Sequence, residues 1–239
     1  MTDWDTPLKP AEMAESRLVE AILEGRFPAG SSLPAERELA EKLGVTRPTL
    51  REALQRLARD GWIEIQQGKP TRVRNYWQEG NLLILSAMVR YSRSLPDDFV
   101  PNLLQIRKLM APEYTRLAIQ NKFTEVLRLL ESMQQVADTA EAFTSVDLNF
   151  HIRMTILSGN PVYTLIFNGF TGLYEVMGMQ YFSKVEMRNH SRSFYRKLLL
   201  SVTAHDDFLA EEVTRQVMAE SIDLWRVLAA GDHNSNKQE

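Results

Sequence analysis

Five of the chain's eleven glycines fall between residues 25 and 68, and they cut that stretch into pieces too short for any long helix. Gly25 and the turn Phe27-Pro28-Ala29-Gly30 close a first piece, Gly44 a second and Gly61 a third, while Gly68 sits in the turn Gln67-Gly68-Lys69-Pro70. Within the pieces the apolar spacing is helical. Leu18, Val19 and Ile22 mark a first helix from about Pro10 to Glu24. The run Leu33-Pro34-Ala35-Glu36-Arg37-Glu38 opens a second, with proline near the first helical position and two glutamates at the positive end of the dipole. Val45 reads as buried, and Thr46 is placed to cap a third helix, whose face Leu50, Ala53, Leu54 and Leu57 runs to Asp60-Gly61. Trp62, Ile65 and Val73 then flank the 67–70 turn with strand-like alternation, which predicts a two-stranded wing.

Charge separates this part from the rest. Residues 44 to 74 carry seven basic side chains (Arg47, Arg51, Arg56, Arg59, Lys69, Arg72, Arg74) against three acids, within a chain of net charge -3. A basic segment on an acidic protein is the footprint of a module that meets a polyanion, although a charge run alone is equally a solvated face. Position decides between them. The start of the third helix turns Arg47, Thr49 and Arg51 away from Leu50 and Leu54, as a recognition helix presents donors to a major groove. Arginine forks onto guanine or phosphate, Thr46 and Thr49 carry hydroxyls of phosphate-contacting length, and Gly68-Lys69 at the wing tip can approach a minor groove. The expected partner is double-stranded operator DNA.

Residues 76–80 (Tyr76-Trp77-Gln78-Glu79-Gly80) read as a hinge, and beyond them strand alternation disappears. Helical periodicity returns near 81–93, 98–121, 123–137, 140–157, 161–182, 187–203 and 206–230, with Pro112 expected to kink the second segment. The fold expected is an α+β winged helix-turn-helix domain (1–75), a linker (76–80), an all-α bundle of about six to seven helices (81–230) and a frayed tail (231–239). Of the 21 aromatic residues, 16 follow residue 80. Phe167, Phe170, Tyr174, Met177, Met179, Tyr181 and Phe182 crowd one predicted helix that also holds Gly169, Gly172 and Gly178. Each glycine costs a helix roughly 1 kcal/mol relative to alanine. Either close helix packing or backbone approach to a bound apolar molecule would offset that cost.

Several function classes are excluded or weakened. Without cysteine there is no disulfide, thiolate-ligated metal or thiol nucleophile. Apolar runs such as Leu82-Leu83-Ile84-Leu85 fall far short of a membrane span, and the acidic start lacks the order of a signal peptide, so a soluble, cytoplasmic protein is expected. Asp147 and His151 lie four apart on one helical face, a usable but incomplete metal pair; His190, His205 and His233 fit no ligand spacing. The same pair lacks a nucleophile and an orienting group, and no glycine-rich phosphate loop occurs, so no enzyme, metal or cofactor is expected.

The stretch Arg26-Phe27-Pro28, Gly30, Leu33-Pro34-Ala35-Glu36-Arg37-Glu38-Leu39, Gly44-Val45-Thr46-Arg47, Thr49-Leu50-Arg51-Glu52, Gly61-Trp62 and Gly68-Lys69-Pro70-Thr71 resembles the winged-helix module of GntR-type bacterial transcription regulators. Gly159-Asn160-Pro161, Asn168-Gly169, Gly172-Leu173-Tyr174 and Tyr181-Phe182 extend the likeness to the FadR subfamily, as far as about Trp225. The resemblance implies a homodimeric regulator of fatty acid metabolism, a repressor and also an activator, released from DNA by long-chain acyl-coenzyme A. It implies DNA contacts at Arg37, Thr46, Arg47, Pro48, Thr49, Arg51, Gln67, Gly68 and Lys69, where Pro48 and Gln67 replace the subfamily's threonine and histidine and so shift operator preference. It places Asp147, Phe150, Tyr174 and Tyr181 on the pocket wall, and Arg107, Arg215, Glu220, Ser221 and Trp225 at the coenzyme A end. Val217, Met218 and Ala230 depart from the subfamily's residue types in the last helix. About a dozen methylenes at ~0.8 kcal/mol each offer at most about 10 kcal/mol before binding entropy, ample for recognition. The alternative is a regulator of the same architecture that senses a metal-bound small carboxylate. Related domains complete such a site with two further histidines, and Arg196 and Ala219 stand at those positions here.

Overall fold

The computed structural model describes residues 8–91 and 95–235, and the chain forms two compact units, 1–95 and 96–239. In the first unit, α1 (Pro10–Leu23), α2 (Glu36–Leu43) and α3 (Arg47–Asp60) bury Leu18, Val19, Ile22, Leu39, Leu50, Leu54 and Leu57 in one core. Gly44 (φ 69°) and Gly61 (φ 94°) end α2 and α3 in the left-handed conformation, which lets the chain reverse within a residue or two. Ala35 is the N-cap of α2, so Pro34 lies just before the helix rather than inside its first turn.

The wing is smaller than the alternation suggested. β1 (Ile63–Glu64) pairs antiparallel with β2 (Arg72–Val73), in the register Ile63 to Val73 and Glu64 to Arg72. The buried strand residues are Ile63 and Val73, behind Trp62, whereas Ile65 is 48 % exposed. Residues 30–33 add a third, irregular edge: Gly30 and Leu33 donate to the carbonyls of Val73 and Thr71, and Val73 donates to Ser31, all at 2.8 Å. The segment read as a hinge forms one helical turn, α4 (Tyr76–Glu79), whose Tyr76 ring packs 5.1 Å from Trp62. Beyond it α5 (Leu83–Tyr91) packs on α1 and buries Ile84 and Met88. The packing of this unit therefore continues past the expected boundary. Residues 92 and 93, at the end of the helix expected over 81–93, lie outside the described residues, as does Met1 to Pro7.

The second unit is helical throughout its described residues: α6 (Phe99–Ser132), a 3-10 turn (Met133–Gln135), α7 (Ala140–Leu157), α8 (Pro161–Asn168), α9 (Thr171–Phe182), α10 (Val185–Thr203) and α11 (Asp207–Ser235). The backbone stays helical through Pro112 and breaks at Lys122 (φ -144°, ψ 47°), the junction expected between two helices. The single helix expected over 161–182 is two, because Gly169 caps α8 and Phe170 starts α9. The helix expected to stop at 230 continues to Ser235, so the tail expected from Gly231 is helical over its first five residues, and 236–239 lie outside the described residues. Long α6 and α11 are tied by Arg116 to Glu211 at 3.2 Å and by Gln120 to Asp207. Among the described residues no helix is long and apolar enough to cross a membrane.

Candidate functional site

The amino-terminal unit exposes polar side chains on α2, on the start of α3 and at the wing tip. Thr46 caps α3, its hydroxyl oxygen accepting from the Thr49 amide at 3.3 Å and lying 2.8 Å from the Thr49 hydroxyl. This fixes where the helix starts, and Pro48, which has no amide hydrogen to lose in a first turn, reinforces it. With Leu50, Ala53, Leu54 and Leu57 turned inward, helical geometry leaves Arg47 and Arg51 exposed one turn apart, with Thr49 half-buried between them. Arg51 Nε donates to Glu36 of α2 at 2.8 Å, which holds the guanidinium against the neighbouring helix. Arg37, also on α2, is exposed, as are Gln67, Gly68 (φ 75°) and Lys69 at the wing tip. Side chains of arginine and threonine at the positive end of a helix, and a lysine-tipped hairpin in the same unit, are groups suited to phosphate and base edges.

In the helical unit, α6, α9 and α11 surround an apolar cavity, with one or two residues each from α7, α8 and α10. From α6 come Val100, Leu103, Leu104, Arg107, Met110 and Tyr114; Leu173, Tyr174, Met177, Gly178 and Tyr181 come from α9; and α11 supplies Val217, Met218, Ser221 and Trp225. All three stripes have three- and four-residue spacing, one face of each helix. The space amounts to about 960 Å³ counted out to solvent, and to about 100 Å³ as cavity proper. One wall is polar. Asp147 of α7, only 5 % exposed, accepts from the Tyr195 hydroxyl at 2.6 Å and from the Tyr174 hydroxyl, and Tyr174 in turn accepts from Arg107 Nη1 at 3.1 Å. Burial pushes the pKa values of Tyr174 and Tyr195 well above the ordinary phenol range, so both stay hydrogen donors to the carboxylate. Burial works against the charge on Arg107, but attraction to Tyr174 and Asp147 outweighs it and the guanidinium is held protonated. Behind the wall, His151 lies 2.7 Å from the Tyr114 hydroxyl through Nδ1, and burial lowers its pKa to about 4.

The comparisons with known proteins agree with this division of labour. Residues 10–73 match the family described as bacterial regulatory proteins, gntR family, and residues 74–231 match the FadR C-terminal domain. The chain is 43 % identical over 218 residues to the fatty acid metabolism regulator protein of Escherichia coli O1:K1, covering 90 % of each chain. The same protein of Shigella boydii serotype 18 is equally similar. The chain belongs to the GntR family. Residues 74–231 are a FadR C-terminal domain, and the chain is a transcription regulator rather than an enzyme. Among solved structures, the Lar protein that controls the Listeria monocytogenes agr system shares the fold, with a TM-score of 0.61 and 17 % identity over 94 % of this chain and 98 % of that one.

The regulator brings together six of the nine residues expected around an effector: Arg107, Asp147, Tyr174, Tyr181, Ser221 and Trp225 all line the cavity. The Trp225 ring stacks on Tyr181 at 6.4 Å, and Ser221 donates back to the Val217 carbonyl at 2.8 Å. Phe150 is fully buried behind the wall, edge-on to Phe194 at 5.7 Å. Arg215 lies on the outer face of α11 and pairs with Glu211 and Glu212. Glu220, also off the cavity, bonds His190 Nε2 and Gln216, each at 2.8 Å, and the His190 bond holds its carboxyl below the usual range. His151 is 0 % exposed. The glycine-rich stretch serves helix packing in part: a Cβ on Gly178 would sit 2.7 Å from Thr144 Cγ2 of α7. Among the described residues no three potential ligands are grouped to hold a metal ion. Sequence reasoning missed the α6 face Val100, Leu103, Leu104, Met110 and Tyr114, whose signal was an apolar stripe interrupted only by Arg107.

Proposed function

We propose that this regulator controls genes of fatty acid metabolism, repressing degradation and also activating synthesis, and that long-chain acyl-coenzyme A releases it from its operator. The cavity in the FadR C-terminal domain carries the reading: its lining is mostly aliphatic and aromatic, with one polar wall. An engineered cavity of about 150 Å³ holds one benzene. A fatty tail therefore enters this one, of about 100 Å³, only by parting its side chains. That displacement gives the ligand different free energies in two arrangements, which is what release from DNA needs. Arg37, Thr46, Arg47, Pro48, Thr49, Arg51, Gln67, Gly68 and Lys69 contact the operator in this reading. A homodimer sets two recognition helices one turn of DNA apart, and the units 1–95 and 96–239 act as reader and sensor, the reader keeping the expected 1–75 and adding the 76–80 turn and α5. The E. coli relative's name, fatty acid metabolism regulator protein, supports the target genes. The test uses a duplex that the protein selects from a random pool, with fluorescence anisotropy read with and without oleoyl-coenzyme A. Coupling of about 1–3 kcal/mol weakens DNA binding roughly 5- to 150-fold; an unchanged affinity overturns the effector assignment.

A further inference from the structure

The polar wall of the cavity has hydrogen-bonding capacity that the protein itself leaves unspent. Asp147 is filled by Tyr174 and Tyr195. Arg107 donates from Nη1 to Tyr174, but its buried Nε has no partner. His151 Nε2 is likewise buried and unpartnered, and it lies 3.8 Å from Asp147 Oδ2. A nitrogen lone pair facing an anion is repelled, so the proton of the imidazole belongs on Nε2. Nδ1 is then the acceptor, and the Tyr114 hydroxyl spends its proton on it. The oxygen lone pairs of Tyr114 remain, on a side chain that lines the cavity.

The wall therefore offers a donor at Arg107 and an acceptor at Tyr114. Its charges cancel, since Arg107 faces Asp147 through Tyr174 and the imidazole is neutral. A ligand carboxylate would add a second anion beside Asp147 with no cation to match it. A methylene would strand both polar groups, and a keto oxygen would answer only the donor. A hydroxyl is donor and acceptor at once, so it alone can give the proton that the Tyr114 oxygen accepts.

We propose that the effectors this cavity prefers are long-chain acyl thioesters that carry a hydroxyl group on the chain, recognised at the wall formed by Arg107 and Tyr114. The proposal rests on the acyl-thioester reading above and narrows it. Isothermal titration of the full-length protein with palmitoyl-coenzyme A and its 3-hydroxy, 16-hydroxy and 3-oxo forms tests it. One of the hydroxylated thioesters binds about tenfold more tightly than palmitoyl-coenzyme A, about 1.4 kcal/mol, and the 3-oxo form does not share the gain. In Tyr114→Phe the ratio of the two affinities falls toward one. In His151→Phe the tyrosine keeps its proton and becomes a donor, so the 3-oxo form gains on the others. Each readout is a ratio within one protein, so a general loss of stability cancels. Thioesters that bind wild type within twofold of one another, or a hydroxyl preference that survives Tyr114→Phe and Arg107→Met, overturn the proposal. Failure of every thioester to bind instead overturns the acyl-thioester reading itself.

Discussion

Acid should weaken the helical unit by an amount traceable to one imidazole. His151 is fully buried among the rings of Phe150, Phe167, Tyr114 and Tyr174, with centroids 5.0 to 6.1 Å away. Burial holds its pKa at about 4, against 6.5 for the free side chain, although Asp147 pulls the other way. Between those two values the unfolded chain binds a proton that the folded chain refuses. The contribution is thus complete above pH 6.5 and is lost as the pH falls toward about 4. At about 1.4 kcal/mol per pH unit, the full difference is roughly 3 kcal/mol, and about 2 kcal/mol is gone by pH 5. That is a large share of a domain stability of about 5–15 kcal/mol. Urea titrations followed by far-UV circular dichroism, at about pH 7 and about pH 5, measure it in wild type and in His151→Phe. The variant carries a constant cost, because the Tyr114 hydroxyl loses its partner, but it lacks the titration. Wild type should lose about 2 kcal/mol more than the variant on acidification. Parallel losses in the two proteins would refute the claim that this imidazole is buried and neutral.

Asp147→Ala should cost about 3–5 kcal/mol in the same urea assay, because it strands two tyrosine hydroxyls and leaves Arg107 as an uncompensated buried cation. A cost below about 1 kcal/mol, as for an exposed pair, would show that the network does not hold the cavity wall. Gly178→Ala gains helix propensity but drives a methyl against Thr144 of α7, so a net loss of about 1–3 kcal/mol is expected. A stabilised variant would mean that α7 and α9 have room to part.

The reading head was legible because its signals are local. The cap at Thr46, the glycine turns at Gly44 and Gly61 and the buried face Leu50, Ala53, Leu54 and Leu57 lie within a few residues of what they determine. Ile65 misled because two short strands are too few for alternation to identify the buried face, and the real partner of β2 includes residues 30–33, some forty positions away. In the bundle, helix existence was read well and helix ends poorly. Gly169 splits one expected helix, while the expected stop at 230 is passed, since end positions depend on what packs there.

Which side chains meet was beyond any periodicity. The sequence by itself determined a winged reader ahead of an aromatic-rich helical bundle, and the family likeness pointed to six residues that line the cavity. Only the tertiary structure decided that Arg215 and Glu220 pair outside the cavity, that Tyr114 enters it, and that His151 is sealed behind it. The physical reason is that a helix fixes which residues share a face, whereas the rotation of each helix against its neighbours is set by the packing of all of them together.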